Sequence, residues 1–275
     1  MTAISRGFPR HIALPREHGA WILFLSPLII GLALAPRWTP GTSVLILTAV
    51  AAFLIREPAS VLVKIWAGRR SRADLAPALR YFALYGLVVV LGLVALVRMG
   101  YGFVLHLAVP GLLVFAWHMY LVYRRQERRQ LGAEVIGVGV LSLTAPALVW
   151  ISHGKYEPYY WWLWLLIWLQ EAASVVFAFL RLEQRTWRTL PPLSKRLRAG
   201  ARAMAYATFN LLFVALMGAL GYLSPWLWLA YVPQWIENIW GTLRPAIRWS
   251  AIHIGLRQTA VTILFTILFI LTWGR

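Results

Sequence analysis

The chain has no cysteine in 275 residues, and acid is scarce: nine Asp and Glu in all, with Asp74 the sole Asp. Without thiols, disulfides, thiolate nucleophiles, zinc–thiolate sites and iron–sulfur clusters are all excluded. Charged residues make up only 13% of the chain, about half the share found in soluble domains. What charge there is leans one way, with 27 Lys and Arg giving a net +18. In a soluble protein that excess would point to nucleic acid, because clustered cations release counterions from phosphate. No nucleic-acid partner is expected here. The basic residues, 24 of them Arg, sit almost wholly between apolar runs, where membrane topology places them.

What the chain has in abundance is apolar surface, at 60% hydrophobic residues and a mean hydropathy of +0.67. The runs fall at approximately 18–35, 43–67, 81–97, 102–123, 132–152, 159–182, 203–222, 225–242 and 258–273. They approach the roughly 17–25 residues that cross a bilayer as a helix, and they lack the alternation of membrane strands. The expected fold is all-α: a polytopic integral membrane bundle of nine transmembrane helices forming one domain over 1–275. The run 225–242 is the weakest, interrupted by Pro233, Gln234, Glu237 and Asn238, and a re-entrant or interfacial helix is the alternative there. Ala33-Leu34-Ala35 resembles a signal-peptidase site, but Pro36 follows it, so the first span is expected to be retained.

Orientation follows from the basic residues. An N-terminus in the cytoplasm leaves only Arg37, Arg98, Lys155 and Arg275 outside, and Arg56 within a span, while every other Lys and Arg falls inside. The reverse would break the positive-inside rule, so the chain is expected to run N-in and C-out. The aromatic clusters Tyr159-Tyr160-Trp161-Trp162-Trp164 and Trp226-Trp228 then mark outer interfaces, as amphipathic rings prefer. The longer, charge-rich connections at 68–80 and 183–202 face inward, and chemistry is expected on that side.

Ionisable groups within spans cost at least about 2.5–3.5 kcal/mol each, so those present need partners, water or a task. The second span carries Arg56-Glu57-Pro58, with Lys64 on the same helical face as Glu57. Pro58 cannot donate its backbone hydrogen bond and should kink the helix where these charges sit. They read as the lining of a cavity or as a buried ion pair. The sixth span carries Gln170-Glu171, then Arg181 and Arg185, with Glu171, Ala178 and Arg185 on one stripe. In the eighth, Gln234, Glu237, Asn238 and Gly241 form a polar stripe that must face protein or water. Asn210 joins them from the seventh span, where an interhelical hydrogen bond explains it equally well. Glu17 and His18 open the first span, the former suited to the positive end of a helix dipole, the latter to acid–base work or to donating to a phosphate or quinone oxygen. Glu134 opens the fifth. One polar cavity opening inward is the economical arrangement of these residues.

The string Leu14-Pro15-Arg16-Glu17-His18-Gly19-Ala20-Trp21 resembles the head of the YwiC-like family of bacterial membrane proteins. Leu131-Gly132-Ala133-Glu134, Thr144-Ala145-Pro146-Ala147 and Leu243-Arg244-Pro245-Ala246-Ile247-Arg248 support the resemblance. It implies a multi-pass protein of the bacterial cytoplasmic (inner) membrane, with no activity attached. The layout is also similar to that of UbiA-type intramembrane prenyltransferases, in which two Asp-rich motifs hold Mg²⁺ and an isoprenoid diphosphate. The chain departs from that pattern: Arg56-Glu57 stands near the place of the first motif, and Arg181 and Arg185 stand where acids of the second belong.

Three functions follow as expectations. The first is a divergent UbiA-like prenyl or lipid transferase, with Glu57, Glu171 and His18 as metal ligands or acid–base groups and Arg56, Lys64 and Arg181 as clamps for an anion. Gln170, Asn210, Glu237, Asn238, Glu17 and Glu134 would line its substrate site. The second is a non-catalytic binder of a quinone, isoprenoid or membrane lipid. The third is a small-solute transporter, which buried charges and a Pro kink also suit.

Overall fold

A computed structural model describes residues 10–15, 18–126 and 130–274. Among these the secondary structure is helical, with no strand. The α-helices are α1 (Arg10–Ala13), α2 (His18–Leu34), α3 (Pro40–Leu54), α4 (Arg56–Trp66), α5 (Leu75–Arg98), α6 (Leu105–Tyr123), α7 (Leu131–Leu141), α8 (Thr144–His153), α9 (Trp161–Gln184), α10 (Leu193–Ala219), α11 (Val232–Leu243) and α12 (Ala251–Thr272). Their ends carry the expected chemistry. Thr39 caps α3 in a capping box with Thr42, ahead of Pro40 in the first turn, and Ser250 caps α12 by accepting from His253 N at 3.2 Å. Helix α8 stops at Gly154, whose φ of +79° suits a residue without Cβ.

Among the described residues seven stretches are long and apolar enough to cross a membrane: 40–66, 72–98, 102–123, 131–153, 158–184, 193–219 and 251–272. The chain is a multi-pass membrane protein on that count. Helix α5 shows what solvent it expects, because Leu84, Leu87, Leu91 and Val94 are each more than half exposed, a display of apolar surface that only lipid tolerates. The remaining two sequence runs differ. The first forms a shorter apolar helix at Gly19–Leu34. The run 225–242 breaks into a single 3-10 stretch, Leu227–Tyr231, and the 12-residue α11, which at about 1.5 Å per residue is too short to cross alone. Pro233 lies in the first turn of α11, where its missing N–H costs nothing, so the helix starts afresh there.

Two compact units divide the chain: Met1–His18 with Trp38–Arg129, and Gly19–Arg37 with Gln130–Arg275. In the first, α5 packs on α3 and α4, and α4 on α6. A small core of Ile12, Val61, Leu62, Ile65 and Ala78 joins α1, α4 and α5, and Tyr85 Oη donates to Ala13 O at 3.1 Å. In the second, α9 is central, packing on α7, α8, α10, α11 and α12. Its core includes Ile30, Val149, Leu166, Val214, Tyr231 and Phe265. Helix α2 crosses α8 at Gly31, where a Cβ would lie 2.8 Å from Ala145 Cα, so the backbones touch with nothing between.

Each unit holds one interrupted span. Helix α3 gives way to α4 at Ile55, and α7 to α8 at Ser142-Leu143. In both, a proline is the third residue of the second half: Pro58 in α4 and Pro146 in α8. Neither can donate to the carbonyl four residues back, so Leu54 O and Ser142 O lose their ordinary helical partner inside an apolar stretch.

Candidate functional site

At the second break, Ser142 is fully buried at the C-cap of α7. Its Oγ lies 2.8 Å from Val138 O and 2.9 Å from Glu171 Oε2 of α9. Glu171 is 1% exposed, and its Oε1 has no hydrogen-bond partner. Among the described residues it forms no ion pair. The α7–α9 interface is fixed by two indoles: Trp164 Nε1 donates to Gly139 O at 2.8 Å and Trp168 Nε1 to Val135 O at 2.7 Å. The latter ring fits because residue 139 has no side chain, since a Cβ there would sit 2.8 Å from Trp168 Nε1.

Farther along α9, Arg181 is also 1% exposed. Its Nη1 donates to Gln184 Oε1 at 2.8 Å, Gly241 O at 2.9 Å and Arg244 O at 2.7 Å. It thereby caps the carbonyl end of α11, where a cation complements the helix dipole. The guanidinium carbon lies 5.2 Å and 5.0 Å from the ring centroids of Trp240 and Trp249, close enough for cation–π attraction. Trp240 is covered a second time by Arg257 at 3.7 Å, and Arg257 Nε donates to Glu237 Oε1 at 2.5 Å. Gly241 is required here, because a Cβ would collide with the Phe177 ring.

The buried amides are held partly by backbone carbonyls and partly by one another or by Ser174. Asn238 Nδ2 donates to Ala203 O at 2.8 Å, Gln234 Nε2 to Asn238 Oδ1 at 2.7 Å, and Asn210 Nδ2 to Leu169 O at 2.6 Å. Ser174 Oγ donates to Gln258 Oε1 at 2.9 Å, tying α9 to α12. Gln170 Nε2, Asn210 Oδ1 and Gln234 Oε1 have no partner. Gln170 and Gln234 each lie two turns back from the contact of Phe177 with Gly241, on helices α9 and α11 that pack together. Polar links thus connect α9, α11 and α12 pairwise.

In the first unit, Arg56 Nη2 lies 3.7 Å from Glu57 Oε1, with both side chains partly exposed at 35% and 25%. Lys64 is half-buried one helix face along α4, and Pro58 is buried at the break. Glu134 is exposed in the first turn of α7, the dipole position that suits an acid. His18 is the first residue of α2, and Glu17 lies outside the described residues.

The expected site residues therefore fall in two groups. Gln170, Glu171, Arg181, Asn210, Glu237 and Asn238 lie on the packed helices α9, α10 and α11 of the second unit, whereas Arg56, Glu57 and Lys64 form a local set in the first. Arg181 Nη1 serves the carbonyls at the end of α11 while its buried Nη2 has no partner, and Asn210 makes the interhelical bond. Ser142, Gln184 and Gln258 are partners that the residue pattern does not single out. Proline four residues after Ser142 is the signal that marks it. Among the described residues no three His, Asp or Glu side chains come together.

No curated protein and no solved structure matches the chain. Residues 14–149 match the family model described as YwiC-like protein. That stretch opens at the Leu14-to-Trp21 string, takes in Glu57, Pro58, Ser142 and Pro146, and ends in α8. The chain is a member of the YwiC-like family.

Proposed function

We propose that the protein is a transporter of a small solute or ion, with its polar sites at the two proline-interrupted spans. The observation that carries this reading is the pairing of an acid with each interruption: Glu57 beside Pro58 in the first unit, and Glu171 against Ser142 in the second. Broken spans are useful to a transporter because they weaken the helical ladder at membrane depth, here leaving Ser142 O with only a 3.3 Å bond from Ala145 N, and an acid beside such a break can hold a cation. Glu57, half-open and next to Arg56, suits a group that meets water, while Glu171 suits an occluded one. The transferase reading has weaker support, since among the described residues no three acids come together and Arg181 Nη1 already serves the end of α11. The quinone- or lipid-binding reading has the unpartnered amides in its favour.

The proposal includes nine crossings of a bacterial cytoplasmic membrane, N-in and C-out. Helix α2 and the segment 227–243 would add to the seven long spans, and the distribution of Lys and Arg favours that orientation. Purified protein in liposomes, under imposed pH, Na⁺ and K⁺ gradients, should carry a flux that Glu57→Gln and Glu171→Gln each reduce by about tenfold or more, as expected for an intramembrane acid on an ion path. Flux equal to that of protein-free liposomes under every gradient rejects transport.

A further inference from the structure

Hydrogen accounting at Ser142 says more about Glu171. A hydroxyl has a single proton to donate, yet Ser142 Oγ sits at bonding distance from two oxygens, Val138 O at 2.8 Å and Glu171 Oε2 at 2.9 Å. A backbone carbonyl can only accept. If Glu171 were a carboxylate, a full negative charge 1% exposed would hold at most the single Ser142 hydroxyl bond at Oε2 and none at Oε1, with Val138 O left to Ser142 N, which already donates to it at 2.9 Å. Buried carboxylates ordinarily accept several hydrogen bonds or face a cation. Among the described residues Glu171 has the one Ser142 bond and no facing cation. The charged groups on the helices packed against α9 are committed or distant: Glu134 lies two turns before Ser142 on α7, His153 pairs with Glu157, Glu237 pairs with Arg257, and the basic residues of α10 precede Ala203. On α9 itself, Arg181 serves the end of α11.

The geometry points to Glu171 as a proton-binding site, a carboxylic acid whose Oε2–H donates to Ser142 Oγ while the Ser142 proton goes to Val138 O. Each hydrogen is then used once, and Oε1 is a neutral carbonyl oxygen. The break at Ser142-Leu143 has a part in this. Ser142, the C-cap of α7, turns its hydroxyl back to the carbonyl four residues earlier while facing α9. Resting on the transport reading, the inference names its coupling ion as the proton, bound and released at Glu171. Release leaves a carboxylate with one shared donor, so the Ser142 proton must swing from Val138 O to Oε2, which links the charge of the site to the last turn of α7.

Infrared difference spectra of the full-length protein in liposomes test this. The wild type should show the C=O stretch of a protonated carboxyl group, absent from Glu171→Gln and retained in Glu57→Gln. Ser142→Ala should keep that band and move it to the higher frequency of a weaker hydrogen bond, a readout that stands if Glu171→Gln does not fold. Carboxylate stretches that change with Glu171→Gln, with no C=O band responding to either substitution, overturn the inference. The band without flux keeps the proton site and removes transport. Flux with an ionised Glu171 keeps transport and removes the proton site.

Discussion

Replacing Arg181 with Leu is the sharpest perturbation of the second unit. Its Nη1 has two protons for three acceptors, Gln184 Oε1, Gly241 O and Arg244 O. About two full hydrogen bonds from a charged donor are thus at stake, each worth roughly 1.5–3 kcal/mol. Leu also removes the cost of burying a guanidinium at 1% exposure, which offsets part of the loss. The expected net destabilisation is about 2–4 kcal/mol. Arg181→Lys should lose less, about 1–2 kcal/mol, keeping a cation at the carbonyls but not the flat contact with Trp240 and Trp249. Reversible unfolding in mixed micelles, followed by the emission of the 16 tryptophans, measures both. If Arg181→Leu stays within about 0.5 kcal/mol of wild type, the range of a neutral surface change, the capping argument is wrong.

Gly31→Ala should destabilise the protein by about 1–3 kcal/mol in the same assay, because its Cβ would meet Ala145 Cα at 2.8 Å and Ala145 O at 2.9 Å, backbone atoms that cannot turn aside. Topology can be read without any background from native thiols, since the chain has no cysteine. In intact cells an impermeant maleimide should label Lys155→Cys and leave Arg188→Cys unlabelled until the membrane is opened, and the opposite pattern refutes N-in insertion.

Hydropathy alone locates the seven long spans, since a run such as 81–97 has no way to satisfy its backbone in lipid except as a helix. It does not separate the halves of 131–153, because Leu141, Leu143 and Ala145 read as a continuous apolar run and the interruption resides in Ser142 and Pro146 alone. The polar stripe of α11 is legible, and the structure gives Asn238 and Glu237 the partners such a stripe needs, Ala203 O and Arg257. Arg181 is legible as a buried cation but not in its role. Its acceptors are carbonyl oxygens of Gly241 and Arg244, and a carbonyl has no letter. Gln258 escapes notice for a related reason: its meaning depends on Ser174, from a helix far away in sequence.

The chain leaves the second unit at Arg37 and re-enters it at Gln130. Ser26 on α2 shares a hydrogen bond of 2.8 Å with Thr266 on α12, partners 240 residues apart. A ribosome must therefore release nearly the whole polypeptide before α2 finds its last neighbour, whereas the segment from Trp38 to Arg129 has its own contacts long before. Biogenesis should then run inside-out in sequence terms, with α2, made before the whole of 38–129, among the last helices to settle, and a nascent chain stalled before α12 should leave α2 open to chaperones or quality-control proteases.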